Sequence, residues 1–213
     1  MEIILHNSKT AVCVKPAGIL STDEPGGMPS LVREQLGVEE VRTVHRLDRV
    51  VGGLMVLALD KDTASNLGMQ IAERSFEKEY LAVVHNILPE SSGTFTDYLE
   101  RDRRTATTHV AKGPSKEARE AVLDYTVLDY LKEEGLSLVR IKLRTGRTHQ
   151  IRVQFSSRGY PLWGDRKYGT LTDSGNIALW SYRVAFNMPD SGERADICLP
   201  PPDIEPWNRF NIK

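Results

Sequence analysis

The sequence predicts an α/β chain of the α+β type: a mixed, largely antiparallel central sheet with flanking helices, in a single domain spanning 1–213. Three observations predict it. Strand-like runs outnumber helical ones. Hairpin-like turns join them, where a regular alternation of strand and helix would have favoured a parallel sheet. The composition is that of a globular protein, with 213 residues of which 40% are hydrophobic and 27% charged, enough to bury a core without disulfides.

Each element follows from local chemistry. Residues Ile3 to Val14 are rich in β-formers and stop at Lys15-Pro-Ala-Gly18, a turn signal. Pro25, Gly26, Gly27 and Pro29 mark a loop. Ser30 to Leu36 reads as a short helix entered through that proline. Arg42 to His45 and Leu54 to Leu59 are strand-like, with Gly52-Gly53 between them. Asp60 or Asp62 caps a helix to about Arg74 that turns Leu67 and Ile71 inward. The pair Asp60-Lys-Asp62 lacks the glycine and the late glutamate of a calcium loop, so a cap is the expected role. Lys78 to Val84 alternates as a strand, and Thr105 to Ala111 does so more weakly. Val122 to Tyr130 and Leu136 to Leu143 flank Lys132-Glu-Glu-Gly135 as a hairpin. Thr148 to Ser157 fits a helix face through Ile151 and Phe155, with Gly159 as a stop. Ile177 to Phe186 and Ala195 to Leu199 supply two more strands, and Pro200 to Lys213 reads as an extended surface tail.

The formal net charge is −1, which excludes a protein held on a polyanion by bulk charge. Yet Arg140 to Lys167 carries eight basic residues and one acid, Asp165. A basic segment on an otherwise acidic chain marks a directed polyanion site. Two cysteines, Cys13 and Cys198, make no disulfide framework, and Met1-Glu-Ile-Ile-Leu lacks the features of a secretory signal; a reducing cytoplasm is expected. No apolar run approaches the roughly 18 residues of a membrane span. Phosphate-cradling glycine motifs, a nucleophile elbow and zinc spacings are all missing from the sequence. Metal and cofactor are therefore not expected.

Two segments carry chemistry. In Val44-His-Arg-Leu-Asp-Arg-Val-Val-Gly-Gly-Leu54, Asp48 stands between Arg46 and Arg49 at the mouth of a strand. Flanking cations favour a carboxylate over a carboxylic acid. In Leu143-Arg-Thr-Gly-Arg-Thr-His-Gln-Ile-Arg-Val153, several phosphate-capable donors share one turn-plus-helix unit. A helix starting near Thr148 would add backbone N–H groups for an anion.

Together these segments resemble the RluA-like family of pseudouridine synthases. His45-Arg-Leu-Asp48 resembles its catalytic motif, Lys78-Glu-Tyr80 its tyrosine motif and Thr145-Gly-Arg-Thr-His-Gln-Ile-Arg-Val153 its arginine motif. Lys15-Pro-Ala-Gly-Ile19 resembles the family's opening motif, and Pro161-Leu-Trp-Gly-Asp165 with Lys167-Tyr-Gly169 a later one. The resemblance implies the pseudouridine synthase fold, with a catalytic cleft, and isomerisation of uridine in RNA without a cofactor. Asp48 would be nucleophile or base. Arg152 would pair with it and aim it bidentately. Tyr80 would stack on the flipped base and assist proton removal from carbon 5. Arg46 would fill the gap left by that base. Arg147, Arg144, Arg166 and Lys167 would bind RNA, and His149 would support that surface. The partner implied is structured RNA, ribosomal or transfer; DNA and membranes are not expected, and a monomer is. The family's small N-terminal RNA-binding domain has no room before residue 15, so the catalytic domain would choose its substrate.

The chain departs from the family where R-D-T-S-G-L is common: Val50, Val51 and Gly52 replace the Asp, Thr and Ser. Two rival readings exist. An RNA-binding protein without catalysis conflicts with the intact set of Asp48, Tyr80 and Arg152. A hydrolase lacks a nucleophile motif.

Overall fold

The glycine pair at 52–53 lies within a strand, and the core of the N-terminal region is built around it. The computed structural model describes residues 1–169 and 173–212. These comprise eleven strands and three α-helices: β1 (Ile3–His6), β2 (Thr10–Lys15), α1 (Met28–Leu36), β3 (Arg42–Thr43), β4 (Gly52–Ala58), α2 (Lys61–Ala72), β5 (Glu77–His85), β6 (Ser92–Asp102), β7 (Thr107–Ala111), β8 (Arg119–Leu131), β9 (Leu136–Leu143), α3 (Gln150–Ser156), β10 (Leu179–Asn187) and β11 (Arg194–Cys198). The pairing is mixed and mostly antiparallel, β10 with β4 being a parallel pair. This is the predicted fold class. Residues Met1–Glu79 with Trp180–Pro201 form one compact unit, and Tyr80–Leu179 with Pro202–Lys213 a second.

In the first unit β1, β2, β4 and β10 lie side by side, with β3 added on β4 and β11 on β10. All seven residues of β4 are buried because helices cover both of its faces. Met55 and Leu57 point to Met28 and Val32 of α1, with Ala11 and Cys13 of β2. Leu54, Val56 and Ala58 point to Leu67 of α2, with Val184 and Phe186 of β10. A strand covered on both faces reads as a continuous apolar run rather than an alternating one. Helix α1 begins with a proline in its first turn and ends at Gly37 in the left-handed region, as the breakers predict. Asp60 caps α2 by accepting the Thr63 N–H at 2.7 Å. The predicted run Ile3 to Val14 is divided by Asn7, whose side chain accepts the N–H groups of Lys9 and Thr10 and turns the chain into a hairpin.

In the second unit the order is β5-β9-β8-β6-β7. Helix α3 lies against β6 and β8. Phe155 meets Phe95 and Tyr125 with ring centroids 5.1 and 6.0 Å away, and Val153 packs with Leu99 and Ala121. Strand β6 escapes prediction. Its inward face is Phe95, Asp97, Leu99, and the central aspartate breaks the apolar alternation that signals a strand. Asp97 is there to receive Arg158 and Gln154.

The tail departs from the extended surface segment that its prolines predict. Trp207–Arg209 forms a 3₁₀ turn, and Trp207 and Phe210 are buried. Arg209 pairs with Glu134 and Glu205 and lies over the Trp163 ring. Trp207→Ala should therefore lower stability by about 3 kcal/mol, read as a shift in the midpoint of urea unfolding. A surface residue would shift it hardly at all.

Candidate active site

Asp48 sits in the loop between β3 and β4, half-buried, with exposed Arg46 and Arg49 around it. Its backbone carbonyl accepts the Val51 N–H at 3.0 Å, closing a turn. Three further ties hold the loop. The buried Ser21 hydroxyl donates to the Leu47 carbonyl and accepts the Leu47 N–H. The Gly18 N–H donates to the Arg49 carbonyl, and Arg49 Nε donates back to the Gly18 carbonyl. Lys15, fully buried at the end of β2, donates through Nζ to the carbonyls of Pro16, Ile19 and Arg49 at 2.9, 2.7 and 3.1 Å. An ammonium has three protons, and three acceptors take them. Burial pulls the Lys15 pKa down to about 8, against the opposing charge of Asp48. The lysine therefore stays charged at neutral pH. The opening motif and the catalytic motif are thus one structure.

The departures from the family pattern have local causes. Val50 is exposed, so no buried group there has lost a partner. Val51 is buried. A Cβ at Gly52 would come 2.7 Å from the ring of Trp180, which pairs with Gly52 in β10. A Cβ at Gly53, which has φ +116°, would strike the Ser181 backbone at 2.5 Å.

His45 is not a general base. It is buried, and its Nε2 accepts the Val56 N–H at 3.0 Å, so it is neutral. Burial, helped by the positive Lys78, pushes its pKa down to about 3. Its ring lies beside Phe76, which stacks on Phe186 and carries Lys78 over its face. Tyr80 is buried within β5, followed by four more buried residues.

The arginine motif is tied within its own unit by several side-chain bonds. Helix α3 starts at Gln150, and His149 before it adopts the left-handed region with φ 55°. The helix thus starts two residues after Thr148, and no side chain caps it. Gln150 Oε1 accepts the Arg147 N–H and the Thr145 hydroxyl, each at 2.9 Å. Arg152 is buried. Its Nε and one terminal nitrogen donate to the two oxygens of Asp165 at 2.8 and 2.7 Å. Burial opposes the charge of Asp165, but Arg152 and the N–H groups of Lys167 and Tyr168 outweigh it and hold the carboxyl below the usual range. Sequence reasoning quoted Asp165 without giving it this role. The pairing it gave Arg152, with Asp48, remains a proposal.

The basic segment is less open than its composition suggests. Arg158 pairs with Asp97 and lies over the Phe95 ring at 4.2 Å. Arg144 pairs with Asp124. Arg147 Nε donates to the Glu120 carbonyl, and Lys167 Nζ to the Ala106 carbonyl. Arg144, Arg147, Arg166 and Lys167 are all exposed, so their remaining donors face solvent. His149, half-buried, bonds through Nδ1 to the Tyr168 hydroxyl at 2.6 Å. Among the described residues no group of three or more His, Cys, Asp or Glu is placed to hold a metal, and no helix is long and apolar enough to cross a membrane.

Two measurements test these ties. Lys15→Met leaves the Ile19 carbonyl without its donor, while the Arg49 and Pro16 carbonyls keep the Gly18 and Ile19 N–H groups, and should lower stability at pH 7 by about 1–3 kcal/mol in urea titrations, the cost of one buried unpaired acceptor. The unfolded chain takes up a proton at His45 near pH 6.5, whereas the folded chain resists until about pH 3. Stability therefore falls on acidification through this window, by on the order of 1 kcal/mol per pH unit from this group. His45→Gln keeps an acceptor but cannot titrate, so its stability should fall less steeply over the same range.

Known proteins resemble this chain along most of its length. The family model for RNA pseudouridylate synthase matches residues 9–157. A protein of Aquifex aeolicus described as an uncharacterized RNA pseudouridine synthase is 32% identical, over 91% of this chain and 67% of its own. The tRNA pseudouridine synthase C of Yersinia pestis is 31% identical, over 97% of this chain and 88% of its own. The solved structure of human RNA pseudouridylate synthase domain containing 1 shares the fold, with a TM-score of 0.81 over 95% of this chain and 84% of that one at 24% identity. A family match that takes in both the pinned Asp48 loop and the arginine helix, with relatives above 30% identity across nearly the whole chain, places it in the RNA pseudouridine synthase family, on the RluA-like branch.

Proposed function

We propose that this protein isomerises specific uridines of ribosomal or transfer RNA to pseudouridine, with residues 1–213 acting as one catalytic domain. In that reaction the bond from the sugar to nitrogen 1 breaks, the base turns, and carbon 5 takes its place on the sugar. Nothing is oxidised overall and no group is imported, so the balance requires no cofactor. Asp48 is the nucleophile or base, Tyr80 stacks on the flipped base, and Arg152 serves the carboxylate. The observation that carries this reading is the buried Lys15 ammonium, which bonds the turn at 16–19 through two carbonyls and the loop of half-buried Asp48 through the Arg49 carbonyl, joining the two. Catalytic groups are held this way because small misplacements slow reactions steeply.

Arg46, Arg144, Arg147, Arg166 and Lys167 are exposed cations suited to phosphate, and His149 supports that surface. The transfer-RNA relative supports an RNA substrate. We place the protein in the cytoplasm, acting as a monomer, away from DNA and membranes.

Asp48→Asn keeps the shape and removes the charge. It should abolish tritium release from RNA labelled at uridine carbon 5, while the melting temperature and RNA affinity stay near wild type. A folded Asp48→Asn protein that releases tritium at the normal rate would refute the assignment.

A further inference from the structure

The Asp165 clamp fixes Arg152 by its edge. A second residue of the same motif carries the guanidinium over its ring, and the reading above gives it no part. Tyr168 places its ring 5.1 Å from the guanidinium carbon of Arg152. Cations are attracted to the face of an aromatic ring, and more so where water is excluded. Arg152 is buried at this contact.

Tyr168 is itself tied through its hydroxyl and through its backbone. Its hydroxyl accepts the Thr108 N–H of β7 at 2.8 Å and bonds His149 Nδ1 at 2.6 Å. Its N–H donates to Asp165 Oδ1 at 3.1 Å, so the clamp on Arg152 also fixes the Tyr168 backbone. Its carbonyl accepts the Ser156 hydroxyl from the last residue of α3. Residues 165–169 therefore grip α3 at both ends. His149 precedes the helix, Ser156 closes it, and Arg152 lies between them. Gly169 completes the grip. A Cβ there would come 2.7 Å from the Asp165 carbonyl, which accepts the Gly169 N–H.

We propose that Tyr168 is a positioning residue of the isomerisation, holding the Arg152 guanidinium over its ring while Asp165 holds it by its edge. The inference rests on the reading of Arg152 as catalytic. The ion pair and the ring contact are separate restraints on one guanidinium. A bidentate carboxylate resists a twist but leaves the guanidinium able to tilt about the line through the two carboxylate oxygens.

The test compares Tyr168→Leu, Tyr168→Phe and Arg152→Lys by tritium release and melting curve. Tyr168→Leu should lower kcat by about 10- to 100-fold with KM for RNA little changed, as expected for a misplaced group that acts in the transition state. Tyr168→Phe retains the ring and should recover most of that loss. Wild-type kcat in Tyr168→Leu overturns the inference. So does a Tyr168→Phe as slow as Tyr168→Leu, or a loss confined to KM, which would make Tyr168 an RNA contact. Wild-type turnover in Arg152→Lys sinks the assignment of Arg152 itself. Its loss there, with full activity in Tyr168→Leu, sinks only the positioning role. Should Tyr168→Leu not fold, the wild-type protein still decides. The Cδ protons of Arg152, identified by their disappearance in Arg152→Lys, should be shifted upfield by the ring in the NMR spectrum, and should remain so in Tyr168→Phe. Ordinary arginine shifts overturn the inference.

Discussion

One buried ammonium organises the first unit. Lys15 has no exposed surface, yet its three protons all reach backbone carbonyls, two in its own turn and one at Arg49. A buried charge is tolerated only when its hydrogen bonds are complete. Completeness here demands that the turn at 16–19 and the loop at 47–51 meet. The reciprocal bonds between Gly18 and Arg49 and the Ser21 clasp on Leu47 follow from that meeting. The position of Asp48 is thus set by the backbone, through groups that carry no catalytic chemistry.

The second unit solves a similar problem with a different charge. Arg152 is buried in a seven-residue helix, too short to be stable alone. Its stability comes from packing and from side chains that fold back on it. Phe155 enters an aromatic cluster, Gln150 closes the loop before the helix, and Asp165 neutralises the arginine. The same design explains why a segment rich in cations is not simply a basic surface. Asp97 and Asp124 reach it from β6 and β8.

What could be read from the sequence depended on distance along the chain. Strand β9 lies where its apolar alternation puts it, and the Asp60 cap and the stop at Gly159 rest on neighbours a few residues away. Strand β6 was invisible because Asp97, on its inward face, answers a residue 61 positions later. Asp48 was recognisable from its motif. The partners that hold the site were not, since Lys15 reaches Arg49 across 34 positions and nothing in Lys15-Pro16 announces a buried charge. The tail misled for a related reason: its prolines suggest exposure, while Trp207 and Phe210 are buried.

The Gly52–Trp180 contact constrains how this sequence can change. The ring fills the volume that a side chain at position 52 would need, and its indole N–H is committed to the Leu199 carbonyl at 2.9 Å. A return to the serine common in the family is therefore not a single neutral step. Introduced alone, the new side chain meets an anchored ring. Introduced after Trp180 has become smaller, its Cβ meets the Lys15 carbonyl at 3.4 Å, an ordinary contact. The two positions form an ordered pair in which the order of substitution decides viability, and a graft of the common loop from a relative would have to bring its β10 neighbour with it.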